Sequence, residues 1–255
     1  MSHKVCGVSE KNMKQKFSEF NELEKLRASI SIHRNPDILI WDYTDKIDVK
    51  KLDSIVLDEF NIKLNDISYF LDKIFKYQLY FYSFYPETKE ISNSEALTYH
   101  IHSYLQDITI LRNKLNSFLG FLKNKFLKIS LDKKTDKGIF DQNIERVEKT
   151  FKDVVDNRND HHHNGFRFLN SDIVDSEMCT LLLAKNFPLK NTVNVDIVSK
   201  KEIEYFEKAK NDYIQLAKEN NKNIIGLINE IFSNNKNYIY KILNIRPIDE
   251  IMDIK

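Results

Sequence analysis

The run Arg158-Asn159-Asp160-His161-His162-His163 places a permanent cation, small polar side chains and three imidazoles within two helical turns. Arginine presents a planar fork of donors that matches phosphate geometry, so Arg158 is fitted to hold a scissile phosphate and steady its transition state. Histidine titrates near neutral pH and can take the proton of a 2′-hydroxyl or deliver one to a leaving 5′-oxygen. Together they suffice to cut RNA by internal transesterification, because the nucleophile is already part of the substrate and proximity supplies much of the acceleration. Two other readings use the same residues. Arg and His in a last helical turn complement the helix dipole and bond its orphan carbonyls. Imidazoles also ligate metals, but adjacent helical positions point about 100° apart and no Cys or acidic neighbour stands at ligand spacing, so neither a metal nor a cofactor is expected.

The elements that must carry this motif are helical. Only five Gly and four Pro punctuate the chain, and apolar residues recur at three- and four-residue intervals. One helix is predicted from Ser9 to about Arg34, ended by Asn35-Pro36. Others are predicted from Asn65 to Tyr85 and from Ser94 to about Leu127, as long antiparallel partners. A fourth runs from about Ile139 to the histidines, with Ile144, Val147, Phe151 and Val154 on its packed side and Arg158 next in that series. Ser199-Lys-Lys-Glu202 has the form of a capping box opening a helix to about Phe232. Ile38 to Tyr43 reads as a short strand, and Cys179 to Phe187 with Thr192 to Val198 as a small hairpin or ordered loop. The expected fold is mainly α: a helical bundle with a short strand or hairpin elaboration. Its parts would be residues 1–90 as an N-terminal elaboration, 91–240 as the main helical domain and 241–255 as a tail.

Arg158, four intervening residues and His163, with polar Asn159 directly after the arginine, resemble the Arg-X4-6-His motif of the HEPN superfamily. The resemblance implies an all-α bundle, often dimeric, and a metal-independent endoribonuclease of toxin–antitoxin, abortive-infection or CRISPR-associated defence. It covers about residues 94–235. It implies Arg158 as the phosphate-binding cation, His163 as general acid or base and Asn159 as their orienting neighbour, with a 2′,3′-cyclic phosphate and a 5′-hydroxyl as products. HEPN toxins silenced by nucleotide transfer carry a tyrosine two residues after the motif histidine; here Gly165 stands there. In a regular helix His162 shares the face of Arg158, whereas His163 is turned by about 140°. Gly165 is suited to the left-handed residue that ends a helix, and a loosened last turn would redirect His163. The family pattern selects His163 and regular helical geometry selects His162.

Asp107, on the same predicted helix as His100 and His102, could pair with Arg158 and position the guanidinium. The bland reading of the two histidines is that they flank Ile101 on partly exposed faces. Arg112-Asn113 repeats the start of the motif without a histidine at the required distance. Residues 111–137 hold eight Lys and Arg against two Asp, among them Lys123, Lys125, Lys128, Lys133 and Lys134, which could guide an RNA backbone or form a solvated face. The aromatic series Phe75, Tyr77, Tyr80, Phe81, Tyr82, Phe84 and Tyr85 could stack bases, but around every face of a helix it reads first as core and interface.

Composition narrows the classes. The chain has 255 residues, 42% of them hydrophobic, and a formal charge of +1, so nucleic-acid affinity must be local. Cys6 and Cys179 supply no disulfide framework. Without a signal-peptide core or a long apolar run, no membrane association and a cytoplasmic location are expected. The partners expected are RNA, a second copy of the chain, since concerted acid and base roles ordinarily need two histidines, and a protein antitoxin. The competing class is a non-catalytic RNA- or protein-binding module, such as a HEPN-like scaffold or antitoxin partner.

Overall fold

The computed structural model describes residues 22–34, 54–86, 90–164, 170–184, 187–188 and 192–251, with the backbone alone at His33, Arg34, Ser54, Asn157, Asp160–Asn164 and Ile251. Among the described residues there are seven helices and no strand: α1 (Glu22–Arg34), α2 (Ser54–Ser83), α3 (Asn93–Phe126), α4 (Lys133–Asn164), α5 (Ser171–Leu183), α6 (Val195–Leu243) and α7 (Ile248–Ile251). The protein is a mainly α helical bundle. None of these helices is long and apolar enough to cross a membrane.

Packing divides the chain into two units, neither continuous in sequence. The first comprises residues 1–63, 118–143 and 225–255. Its aromatic core sets Phe60 edge-on to Phe118 at 5.3 Å, Phe118 against Phe232 at 5.4 Å and Phe126 against Tyr238 at 4.6 Å. Edge-to-face pairs at such distances add roughly 0.5–1.5 kcal/mol each beyond the apolar area they bury. The α7 turn docks on α1, where Lys25 Nζ meets Asp249 Oδ2 at 3.0 Å. The end of the chain beyond 251 lies outside the described residues.

The second unit comprises residues 64–117 and 144–224. Its α2 and α3 segments are antiparallel, as the pairs Asp66–Lys114 and Lys73–Asp107 show by running in opposite chain directions. The α3 and α4 segments are antiparallel as well: Glu148 takes bonds from Arg112 and Asn116, and ten residues later in α4 Arg158 meets Gln106, ten residues earlier in α3 than Asn116. Tyr104 lies at the centre, fully buried, edge-on to Tyr77 and Phe81, its hydroxyl accepting from Asn220 Nδ2 at 3.2 Å. Burial pushes that phenol up to about 12, because the phenolate would lose its hydration.

Several local expectations are corrected. Residues 179–183 are not a hairpin strand but the end of α5, whose first turn is capped by Asn170 Oδ1 accepting from the Asp172 amide at 2.8 Å. Beside Asp172, its buried positions are Ile173, Ser176 and Cys179, and their three-residue spacing gives no visible alternation in so short an apolar run. Residues 195–198, expected in the same hairpin, instead begin α6. Ser199 caps nothing, since α6 starts four residues earlier with Asn194 Oδ1 bonded to the Ile197 amide. At its other end α6 continues past Phe232 because Asn235, fully buried, donates to the Ile231 carbonyl instead of breaking the helix. Asn244, at φ 52°, ends it in the left-handed conformation, with the Ile245 amide reaching back to the Tyr240 carbonyl. The strand expected at Ile38 to Tyr43 and the start of the Ser9 helix lie outside the described residues.

Candidate functional site

Helix α4 begins earlier than its apolar period suggests, because Asp132 caps it by accepting from the Thr135 amide at 3.2 Å. From there Val147, Phe151 and Val155 are buried, with Ile144 and Val154 beside them half-buried. Seven residues past Phe151 the series reaches Arg158, half-buried, on the edge between this packed stripe and solvent. The guanidinium is fixed there by amides. Its Nε and Nη2 both donate to Gln106 Oε1, at 3.2 and 3.0 Å, and its Nη1 donates to Asn159 Oδ1 at 3.2 Å. Both acceptors are neutral, so these bonds orient the fork without offsetting its charge.

Asp107 does not provide the pairing expected of it. It is 3% exposed and accepts from Lys73 Nζ at 2.9 Å and from the Tyr77 hydroxyl at 2.6 Å, both on α2. Successive helical residues differ by about 100° in direction, so turning Asp107 toward α2 turns Gln106 toward α4. The bond to Asp107 raises Lys73 above its ordinary value, and burial foremost, then the same carboxylate, drives the Tyr77 phenol up. Gln106 is thus the site residue that sequence reasoning missed. Its signal was register, visible only once the two helices are paired: the Glu148 and Arg158 contacts advance by ten residues on each helix.

The backbone of α4 stays helical through Asn164. Position 162 therefore falls one turn beyond Arg158 on the same face, and position 163 about 140° away. On α3, position 102 lies one turn before Gln106, so the antiparallel register sets positions 102 and 162 at the same level. The side chains of His161, His162 and His163 lie outside the described residues.

The other candidates are dispersed. His100 donates from Nε2 to the Phe84 carbonyl at 2.7 Å, which ties the end of the α2 segment to α3. Arg112 is engaged by Glu148 at 3.4 Å. The lysines of the proposed RNA track belong to the first unit. Lys123 pairs with Asp141 and Lys125 with Glu59, the latter at 3.1 Å and also over the Phe121 ring. Lys128, Lys133 and Lys134 are exposed, and among the described residues no carboxylate lies within ion-pair distance of them. No group of three His, Cys, Asp or Glu among the described residues is placed to hold a metal ion. Comparison with family models, curated proteins and solved structures gives no significant match to this chain, so any functional reading rests on the residues themselves.

Proposed function

We propose that this chain is an endoribonuclease that cuts single-stranded RNA without a metal, with Arg158 binding the scissile phosphate and a histidine of the following turn moving protons. The observation that carries this reading is the guanidinium held by Gln106 and Asn159, oriented at a solvent edge with its charge uncompensated by those bonds. A catalytic arginine needs both orientation and charge. In the reaction one imidazole takes the 2′-hydroxyl proton, the 2′-oxygen attacks phosphorus, and the 5′-oxygen leaves with a proton from a second acid. A 2′,3′-cyclic phosphate and a 5′-hydroxyl result.

The HEPN resemblance of Arg158 to His163 supports the same chemistry, and the continuous helix favours position 162 over 163 for the histidine nearest the phosphate. The second proton-transferring group has two sources. A homodimer would bring a second motif across a two-fold axis. Within one chain, His102 sits at the level of position 162 and could supply the second imidazole. Activity lost in an obligate monomer supports the first; an active monomer that loses activity in His102→Ala supports the second. RNA contact by Lys128, Lys133 and Lys134, restraint by a protein antitoxin, a role in defence and a cytoplasmic location complete the proposal.

The experiment is cleavage of a mixed-sequence single-stranded RNA in EDTA by the purified chain, beside Arg158→Ala, His162→Ala and His163→Ala. Cleavage that disappears with Arg158 and one histidine is the expected outcome. Absence of cleavage by folded protein in every oligomeric state refutes it. One observation favours a second reading: the Arg158–Gln106 bonds join α4 to α3, as a structural arginine would. In a non-catalytic binding module, Arg158→Ala would chiefly lower the melting temperature.

A further inference from the structure

We infer that the second unit carries a base-binding pocket beside the arginine, and that it receives an unstacked nucleobase of the strand whose phosphate Arg158 holds. The inference rests on the phosphate-binding role proposed for Arg158, and it follows from how α2 and the residue after it sort their aromatic side chains. Tyr77 and Phe81 are buried, while Tyr80 is half-buried and Phe84 67% exposed. With Tyr99, 70% exposed on α3, and His100, these outward rings line two adjoining pockets of about 810 and 340 Å³ that share Phe84, Tyr99 and His100.

The rings are held in place. The His100 imidazole stacks on Tyr80 at 6.1 Å and 27°, and meets Phe84 and Tyr99 edge-on at 6.0 and 6.1 Å. Its Nε2–H bond to the Phe84 carbonyl prevents it from turning. The smaller pocket adds polar lining: Ser103 and Lys73, with Tyr77 between them on its inner side and both Lys73 and Tyr77 bonded to Asp107. Since Lys73 and Asp107 form a salt bridge, Ser103 and Lys73 offer hydrogen-bonding atoms with little net charge.

Three properties select the occupant. Volumes of this order suit a small planar molecule and are too small for a docking helix. Flat aromatic walls with a hydrogen-bonding lining suit a heteroaromatic ring, which stacks on its face and bonds along its edge. The position selects a base over a free metabolite. Tyr99, Ser103 and Gln106 follow each other at four- and three-residue spacing on one stripe of α3. The helical rise sets Ser103 about 5 Å and Tyr99 about 10 Å along the axis from the residue that anchors Arg158. A strand with a phosphate on the guanidinium would therefore carry a neighbouring base to the pocket mouth.

The test uses the full-length chain with His162→Ala and His163→Ala together, so that binding is read without cleavage. Affinity for a short mixed-sequence oligoribonucleotide is measured by fluorescence anisotropy, alongside the same backbone with abasic sugars and free adenosine monophosphate. Tyr99→Ala and Phe84→Ala should each weaken oligonucleotide binding about tenfold, as loss of one stacking partner does, while Tyr99→Phe retains it. Both truncated side chains are exposed, and an unchanged melting temperature verifies the fold. A 4-thiouridine oligonucleotide should cross-link within residues 84–100. Undiminished affinity of both alanine variants, equal binding of the abasic strand, or cross-links confined elsewhere would overturn the pocket. Free nucleotide binding as tightly as the strand would overturn the RNA assignment. The two proposals fail separately: binding in the pocket by a native chain that cuts nothing removes the nuclease, and cutting unaffected by Tyr99→Ala removes the pocket.

Discussion

The lysines around the α3–α4 turn and the arginine near the end of α4 are both basic features that a sequence reader would assign to nucleic acid, and the structure treats them differently. In the first unit Lys123 and Lys125 are matched with Asp141 and Glu59. In the second, Arg158 is gripped by two amide oxygens that carry no charge. A count of basic residues measures potential only before pairing. The local excess over residues 111–137 shrinks once the acids of other segments fold against it, whereas one arginine held by amides keeps its full charge in a fixed direction. The same contrast separates two neighbours on α3: Asp107 satisfies Lys73 and Tyr77 in the core, and Gln106 orients a cation at the edge.

The largest effect that can break this contrast is Arg158→Ala. It should reduce RNA cleavage about a hundredfold or more, in line with losing a transition-state charge contact, with only a small change in melting temperature. A large thermal loss with activity retained would make the arginine structural. Next comes Asp107→Ala, expected to cost about 3 kcal/mol in denaturant unfolding, because it strands the buried Tyr77 hydroxyl and removes the partner of Lys73. Were Asp107 instead part of the phosphate site, cleavage would suffer more than stability. Gln106→Ala should lower kcat/KM by roughly three- to tenfold by releasing the guanidinium, with Gln106→Glu lowering it further by neutralising the charge.

A smaller difference separates the lysines. Replacing Lys128, Lys133 or Lys134 with Ala should reduce the salt dependence of RNA binding by about 0.7 in logarithmic slope per contact, and Lys123 or Lys125 should change it little. Equal effects would show that pairing does not silence them. Smallest of all is a pH effect in the second unit. Burial raises the Glu177 and Glu202 carboxyls above their ordinary value of 4.5. A raised folded value favours the protonated form, so their contribution to stability is complete below pH 4.5 and declines as pH rises through the raised values. Glu177→Gln should flatten that decline, as melting temperatures between pH 4 and 7 would show.

Much of this architecture was legible because long helices repeat their signal. The period from Leu97 through Leu122 gave α3 within a residue at each end, and the Val147 to Phe151 spacing correctly carried α4 to Arg158. Short or polar determinants were harder to read. Helix α5 spans only 13 residues and owes its start to one asparagine cap. The extension of α6 depends on Asn235 finding partners inside the core, which a polar Ser233-Asn-Asn235 stretch does not announce. At the candidate site, the motif singled out the arginine, but nothing in the sequence named the residue that holds it. Choosing between Gln106 and Asp107 requires the rotational setting of α3, and that is decided by Tyr77 and Lys73 on another helix.

If Arg158 binds phosphate as proposed, its amide grip would also make the site exchangeable. Gln106 holds two guanidinium N–H groups with a single neutral oxygen, and a phosphate offers the same groups charged acceptors in bidentate geometry, roughly doubling the strength of each bond. Displaced in the proposed reaction, Gln106 would turn to water and leave no buried ion behind, so a substrate would evict a placeholder instead of breaking an ion pair. A carboxylate in its place would have competed with every phosphate that arrived. In the proposed nuclease Gln106 would thus be a parking position, keeping the arginine aimed while the site stands empty and yielding when a stronger ligand appears.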